Sequence, residues 1–142
     1  MMKTMNTRTG HVHRGFTLIE LMIVVVIISI LAAMAYQSYR SSVQRTHIAD
    51  VKADMLAAMA EADGWRARNF TYAGWTLPTS LATSDNYTVT RSADSDAHSL
   101  TITAVPKGSM VGTGALAMDS QGQTCHTKSS DSACTPGTSP WE

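Results

Sequence analysis

Residues 15–20, GFTLIE, place one carboxylate, that of Glu20, at the entrance of a long apolar run. From Leu21 to Tyr36 the sequence LMIVVVIISILAAMAY contains no charged residue. Counted from Phe16, about 21 residues form a helix of roughly 31 Å, which is enough to cross the hydrocarbon core of a bilayer. A carboxylate at the centre of a bilayer costs about 3 kcal/mol, and less near the interface. The segment therefore predicts a membrane helix whose acid has a partner.

The charged residues before Phe16 are all basic. Lys3, Arg8 and Arg14 are basic, and residues 1–15 contain no acid. An excess of Lys and Arg next to a membrane helix favours the cytoplasmic side. We therefore expect the N-terminus to lie in the cytoplasm.

This block resembles the class III signal of type IV prepilins and pseudopilins. In that family a short basic leader ends in Gly, Phe usually follows, and Glu is the fifth residue of the mature chain. Gly15, Phe16 and Glu20 match all three positions. The resemblance implies that prepilin peptidase cleaves after Gly15 and that Phe16 is then N-methylated. It also implies that the protein waits in the inner membrane before it joins a pilus on the cell surface.

Glu20 is the candidate assembly residue. Cleavage would create an ammonium group at Phe16, and a buried charge generally needs a partner. We expect that amine to pair with Glu20 of a neighbouring subunit in the filament. Two other interpretations remain open: an ordinary secretory signal cleaved at Ala33-Met34-Ala35, and a plain single-span anchor with Glu20 at the headgroup boundary.

After the span, residues 37–69 are predicted to continue the same helix as an amphipathic segment. Apolar residues recur at spacings of mostly three or four, and alanine, the strongest helix former, is abundant. The stripe comprises Val43, Ile48, Val51, Met55, Met59, Ala62 and Trp65. Pilins often carry Pro where this chain has Gln37, so we expect a comparatively straight helix between Ala35 and Arg40.

In the remaining chain, residues 70–142, apolar residues recur with a period of two instead of three or four. Residues 75–85 are loop-like, and three later segments alternate or are short and apolar: Tyr87–Thr90, Leu100–Val105 and Ala115–Met118. Short connections favour antiparallel pairing. The sequence thus predicts an α+β fold in which a long N-terminal helix packs on a small antiparallel sheet. The pilin resemblance implies the αβ-roll of that family.

Cys125 and Cys134 are the only cysteines of the chain. If residues 70–142 lie outside the cytoplasm, such a pair favours a disulfide. Zinc is the alternative because His126 is adjacent, but a fourth ligand and a CxxC spacing are missing. A disulfide-bounded region near the C-terminus also matches the pilin resemblance in position.

No pattern indicates an enzyme. Ser, His and Asp occur without a nucleophile motif, and no residue set predicts a cofactor or a metal. Asp94 and Asp96 resemble the acidic residues with which some pseudopilins bind calcium, but we expect them to form a solvated turn. Without residues 1–15 the chain has 8 basic and 11 acidic residues, so its net charge is near −3. This balance argues weakly against wholesale nucleic-acid binding.

The sequence therefore predicts a structural subunit of a type IV pilus. Residues 45–55, RTHIADVKADM, resemble PilE-type minor pilins. Other pilin subunits are the expected partners, and adhesion, twitching motility or DNA uptake are the expected activities. A type II secretion pseudopilin is one alternative. A DNA-binding competence pilin is another, and it would gather Arg66, Arg68, Arg91, Lys107 and Lys128 on one face.

Overall fold

The computed structural model describes residues 15–93, 97–128 and 130–141. It contains two α-helices, one 3₁₀ turn at Gly108–Met110 and one sheet. The helices are α1 (Leu18–Asn69) and α2 (Thr79–Ala82), and the strands are β1 (Tyr87–Ala93), β2 (Leu100–Pro106), β3 (Leu116–Asp119) and β4 (Thr124–His126). The chain divides between Tyr39 and Arg40 into two compact units. Of the expected leader, residues 1–15, the structure describes Gly15; residues 1–14 lie outside the described residues, as do Asp94 and Asp96.

The first unit is dominated by the apolar part of α1. This part has a mean hydropathy of 2.9 over its most apolar window and is long enough to cross a membrane. Its large apolar side chains are exposed, from 44% at Val24 to 77% at Leu18. An apolar surface of this kind needs either lipid or other helices around it. The helix passes Gln37 without interruption, because this position has no proline ring to remove a backbone donor.

The second unit begins at Arg40 and is called the head below. It is built on the later part of α1. Five residues of this part are buried: Val51, Met55, Ala58, Met59 and Ala62. Apart from the adjacent pair Ala58 and Met59, they follow one another at spacings of three or four, which places them on one face of an α-helix. Ile48 and Trp65 extend the same stripe and pack partly buried against the core. The apolar stripe predicted from the sequence is thus the face of α1 that packs against the rest of the second unit.

The sheet has four strands in the order β1-β2-β3-β4, and every neighbouring pair is antiparallel. Alternate residues of β2 point inward, so that Leu100, Ile102 and Ala104 are fully buried in the same core as the α1 stripe. This arrangement confirms the predicted α+β fold, a long helix with a small antiparallel sheet.

The structure differs from the sequence-based expectations in three short elements. The one-turn helix α2 begins directly after its N-cap, Pro78, inside the predicted loop. β1 continues to Ala93, since its outer residues pair with β2. β4 spans three residues, too few for a period of two to be recognised in the sequence.

The predicted disulfide between Cys125 and Cys134 is confirmed. Their Cα atoms are 6.2 Å apart, within the ordinary range for a disulfide. Because both thiols are used in this bond, the zinc alternative is wrong. In the chain-entropy view, closing a loop of this size stabilises the fold by about 2–3 kcal/mol.

Candidate functional site

A basic groove is the most distinctive surface of the second unit. It has a volume of about 670 Å³ and lies between α1 and the loops around the disulfide. Its lining consists of Ser41, Gln44, Arg45, Ile48, Ala49, Lys52, Gly112, Thr113, His126 and Lys128. Among these described residues three are permanent cations and none is acidic. The groove is therefore suited to an anionic partner, although the chain as a whole is not basic.

One wall of the basic groove is a single face of α1. Arg45 and Lys52 are separated by seven residues, which returns a helix to nearly the same direction after two turns. Along the helix axis this separation is about 10.5 Å. The Nζ atom of Lys52 also lies 5.6 Å from the ring centroid of Trp141, within cation–π range.

The opposite wall comes from two loops that meet beside β3 and β4. Residues 112–114 form one loop, and Lys128 follows β4 inside the disulfide ring. Backbone hydrogen bonds join them: Thr127 N–H donates to the Ala115 carbonyl at 3.1 Å, and Ala115 N–H donates to the Ser130 carbonyl at 3.1 Å. These bonds fix the backbone on both sides of Lys128, which lines the basic groove together with the two cations of α1.

His126 is the buried polar residue of this wall. Its Nε2 atom lies 3.0 Å from the Thr113 carbonyl oxygen. A carbonyl only accepts, so Nε2 carries the proton and Nδ1 is the unprotonated nitrogen of the neutral ring. Burial lowers the pKa of His126 below its ordinary value of 6.5, the hydrogen bond to Thr113 raises it, and nearby Lys52 and Lys128 lower it further. The neutral ring is therefore the favoured form in the fold.

We expect the head to lose stability as the pH falls below 6.5. The unfolded chain binds a proton at His126 more readily than the folded chain does, so the free energy of unfolding rises with pH across this interval. It is highest above the unfolded pKa and falls as the pH drops through the lowered folded pKa. Thermal unfolding followed by tryptophan fluorescence at pH 7.5 and pH 5.5 measures this, with His126→Gln as the control. Equal pH dependence in the variant and the original chain would contradict the assignment to His126.

The five basic residues expected to form a DNA-binding face do not meet in one groove. Lys128 lines the basic groove, whereas Arg66 lines a second groove with Asp63, Phe70 and His98. Arg66 is 14 residues beyond Lys52 on α1, or about 21 Å along the helix axis. Arg68, Arg91 and Lys107 line neither groove. Of the expected set, Lys128 lines the basic groove, and Arg45 and Lys52 line it as well.

The expected assembly segment lies at the start of α1. Glu20 is exposed, and its backbone N–H donates to Thr17 Oγ1 at 3.2 Å. Thr17 is thus an N-cap, and Glu20 is the acid three residues later that a capping box requires. Gly15, Phe16, Thr17 and Glu20 line one shallow pocket. The expected cleavage and N-methylation positions, Gly15 and Phe16, lie immediately before the cap.

Two family profiles match this chain. The first, described as a prokaryotic N-terminal methylation motif, matches residues 11–36. The second, described as the type IV minor pilin ComP, DNA uptake sequence receptor, matches residues 37–129. The second match covers well over half of the chain and includes every lining residue of the basic groove. The chain belongs to the ComP family of type IV minor pilins. The pilin resemblance of residues 15–36 thus extends into the head.

Individual relatives of this ComP-family chain match mainly over part of their length. It is 41% identical over 58 residues to the type II secretion system core protein G of Pseudomonas aeruginosa, covering 41% of each chain. It is 40% identical over 74 residues to the type IV major fimbrial protein FimA of Dichelobacter nodosus, covering 49% of this chain and 47% of FimA. The chain thus spans about two fifths to one half of the length of these curated relatives.

Among solved structures, a type IV pilin from Shewanella oneidensis matches with a TM-score of 0.47 and 20% identity. The match covers 66% of this chain and 91% of the Shewanella chain. The fold of the ComP-family chain is established here by its own helix, sheet order and disulfide.

Several residues of these sites were missed by sequence reasoning. Thr17 had a readable signal, since Thr-x-x-Glu is the capping-box pattern. The seven-residue spacing of Arg45 and Lys52 was also readable as one helix face. No local signal joins them to Lys128, because the groove that all three residues line forms only when distant parts of the chain pack together.

Proposed function

We propose that this chain is a minor subunit of a type IV pilus that assembles through its N-terminal helix. The supporting observations are the methylation motif at residues 11–36, the exposed apolar side chains of α1 and the family match of the head. In this proposal prepilin peptidase cleaves after Gly15 and Phe16 is N-methylated. The processed protein is held in the inner membrane, with its N-terminus in the cytoplasm, and then enters a filament with other pilins.

The alternative is a pseudopilin that stays below the cell surface, since one relative is a type II secretion protein. The match of residues 37–129 to a minor pilin family favours the pilus. Mass spectrometry of the N-terminal peptide from filaments sheared off cells separates the two. We expect a peptide that begins at N-methylated Phe16, in a small ratio to the main pilin. A processed peptide confined to the cell envelope would contradict the pilus proposal, and one that begins at Tyr36 would contradict prepilin processing.

We further propose that the head binds double-stranded DNA through the basic groove. The observation that carries this proposal is a groove lined by Arg45, Lys52 and Lys128 whose described lining residues include no carboxylate. The family description names a DNA uptake sequence receptor and supports the same partner. Phosphate contacts supply most of the affinity of such a surface, and each releases counterions from DNA. Binding should therefore weaken steeply as salt is added.

Neutralising one cation of the basic groove should weaken DNA binding at every sequence. We expect Lys128→Gln or Arg45→Gln to lower the affinity for a short duplex and to reduce the slope of log K against log salt by roughly 0.9 per lost contact. Fluorescence anisotropy with a labelled duplex of about one and a half helical turns, roughly 16 base pairs, measures both quantities. The full chain is used in a non-ionic detergent.

Arg91→Gln is the matched control for these variants. It removes the same charge from an exposed position of β1 that does not line the groove. We expect it to keep the salt slope of the original chain. If Arg91→Gln reduced the slope as much as Lys128→Gln, the groove would not be the binding site.

A further inference from the structure

Asp131 makes a bidentate bond to the loop that forms one wall of the basic groove. Its Oδ2 atom accepts from Gly112 N–H at 2.7 Å, and its Oδ1 atom accepts from Gly114 N–H at 3.1 Å. Asp131 itself is half-buried and does not line the groove. Both carboxylate oxygens of Asp131 thus accept from backbone donors of this loop.

The two loops joined by Asp131 pack in backbone contact. A Cβ atom added to Gly114 would meet the carbonyl oxygen of Thr127 and would lie 2.9 Å from Lys128 Cα. The position of the Lys128 backbone is thus set by how closely residues 112–114 approach the disulfide ring. Charge-assisted hydrogen bonds such as those of Asp131 are roughly twice as strong as neutral ones. They therefore hold residues 112–114 and the disulfide ring at a fixed separation.

We propose that Asp131 is a positioning residue for DNA binding, because its carboxylate holds Lys128 on the groove wall that faces Arg45 and Lys52. The inference rests on the proposed DNA-binding function. The inference also predicts a direction of change in DNA affinity that charge alone cannot produce. Removing an acid from a surface that attracts a polyanion should tighten binding by electrostatics, whereas losing the position of Lys128 should weaken it.

The test compares Asp131→Asn with Asp119→Asn in the full chain, using the same labelled duplex and salt series. Asp119 is a matched control, because its Oδ1 atom accepts from Gln121 N–H at 2.9 Å and Gln123 N–H at 2.8 Å in the β3–β4 turn and does not line the groove. Both variants change the net charge equally. We expect Asp131→Asn to weaken binding about threefold to tenfold and to reduce the salt slope by roughly 0.9, as Lys128→Gln does. Asp119→Asn should bind at least as tightly as the original chain.

The double variant Asp131→Asn/Lys128→Gln provides a readout that a general loss of stability would not produce. If Asp131 acts through Lys128, the double variant binds no more weakly than Lys128→Gln alone. Additive losses, an unchanged salt slope or tighter binding in Asp131→Asn would each overturn the inference. An original chain that binds no duplex would overturn the proposed function as well, so the two failures are distinguishable.

Asp131→Glu keeps the proposal testable if Asp131→Asn does not fold. Glutamate retains the negative charge but moves the carboxylate by one methylene, so any change in binding comes from position. We expect weaker binding than in the original chain. Equal binding would overturn the inference.

Discussion

Replacing Gly114 by Ala should lower the free energy of unfolding of the head by about 3–5 kcal/mol, close to the upper range for a single substitution. Two effects add at this residue. Its φ of +94° lies in the left-handed region, where a side chain costs of order 1–3 kcal/mol. In addition, the new Cβ would overlap the Thr127 carbonyl oxygen and lie 2.7 Å from the Thr127 carbonyl carbon, so backbone must move. The disulfide ring restricts that movement.

Gly112→Ala is the control that separates the two effects. Gly112 belongs to the same loop and has a φ of +89°, but an added Cβ meets nothing within 4 Å. We therefore expect Gly112→Ala to cost only the conformational part, about 1–2 kcal/mol. Chemical unfolding in detergent can be followed by tryptophan fluorescence, since Trp65, Trp75 and Trp141 all lie in the second unit. Equal losses in the two variants would show that the close approach to Thr127 has no energetic consequence.

Glu20→Ala should leave leader cleavage intact and reduce incorporation into filaments by at least about tenfold. In the proposed filament the Phe16 amine loses its partner, and an unpaired buried charge costs about 3–5 kcal/mol. Because incorporation depends on the free energy of docking, a loss of only about 1.4 kcal/mol already lowers it tenfold. The ratio of this chain to the main pilin in sheared filaments measures the effect, and the mass of the membrane-bound form reports cleavage.

Two further variants separate the charge of Glu20 from its place in the helix cap. Glu20→Gln removes the charge but keeps a side chain suited to a capping box, whereas Thr17→Ala removes the N-cap oxygen and costs the helix about 1 kcal/mol. Pairing with the amine predicts a large loss in Glu20→Gln and a small one in Thr17→Ala. If Glu20→Gln entered filaments as well as the original chain while Thr17→Ala did not, Glu20 would act through the cap.

Sequence reasoning succeeded for this protein where a pattern repeats over many residues. The α1 stripe from Val51 to Ala62 and the alternation in β2 are read directly from periods of 3.6 and 2. It failed at α2 and β4, which have four and three residues and therefore show no complete period. It predicted a helix over residues 37–69, which ends directly before Phe70. The structure places this exposed phenylalanine at a φ of 61°, where helices usually end in glycine.

The sequence by itself determined the apolar helix, the pilin resemblance of residues 15–36, the α+β fold and the Cys125–Cys134 disulfide. Each of these depends on neighbours along the chain or on a pair that had no competitor. Only the tertiary structure decided the basic groove, because Lys128 lies far from Arg45 and Lys52 in sequence and no period relates them. Their meeting is set by the Asp131 bonds to Gly112 and Gly114 and by the missing Cβ of Gly114. Such contacts are made between surfaces after the elements have packed, so no local pattern of residues encodes them.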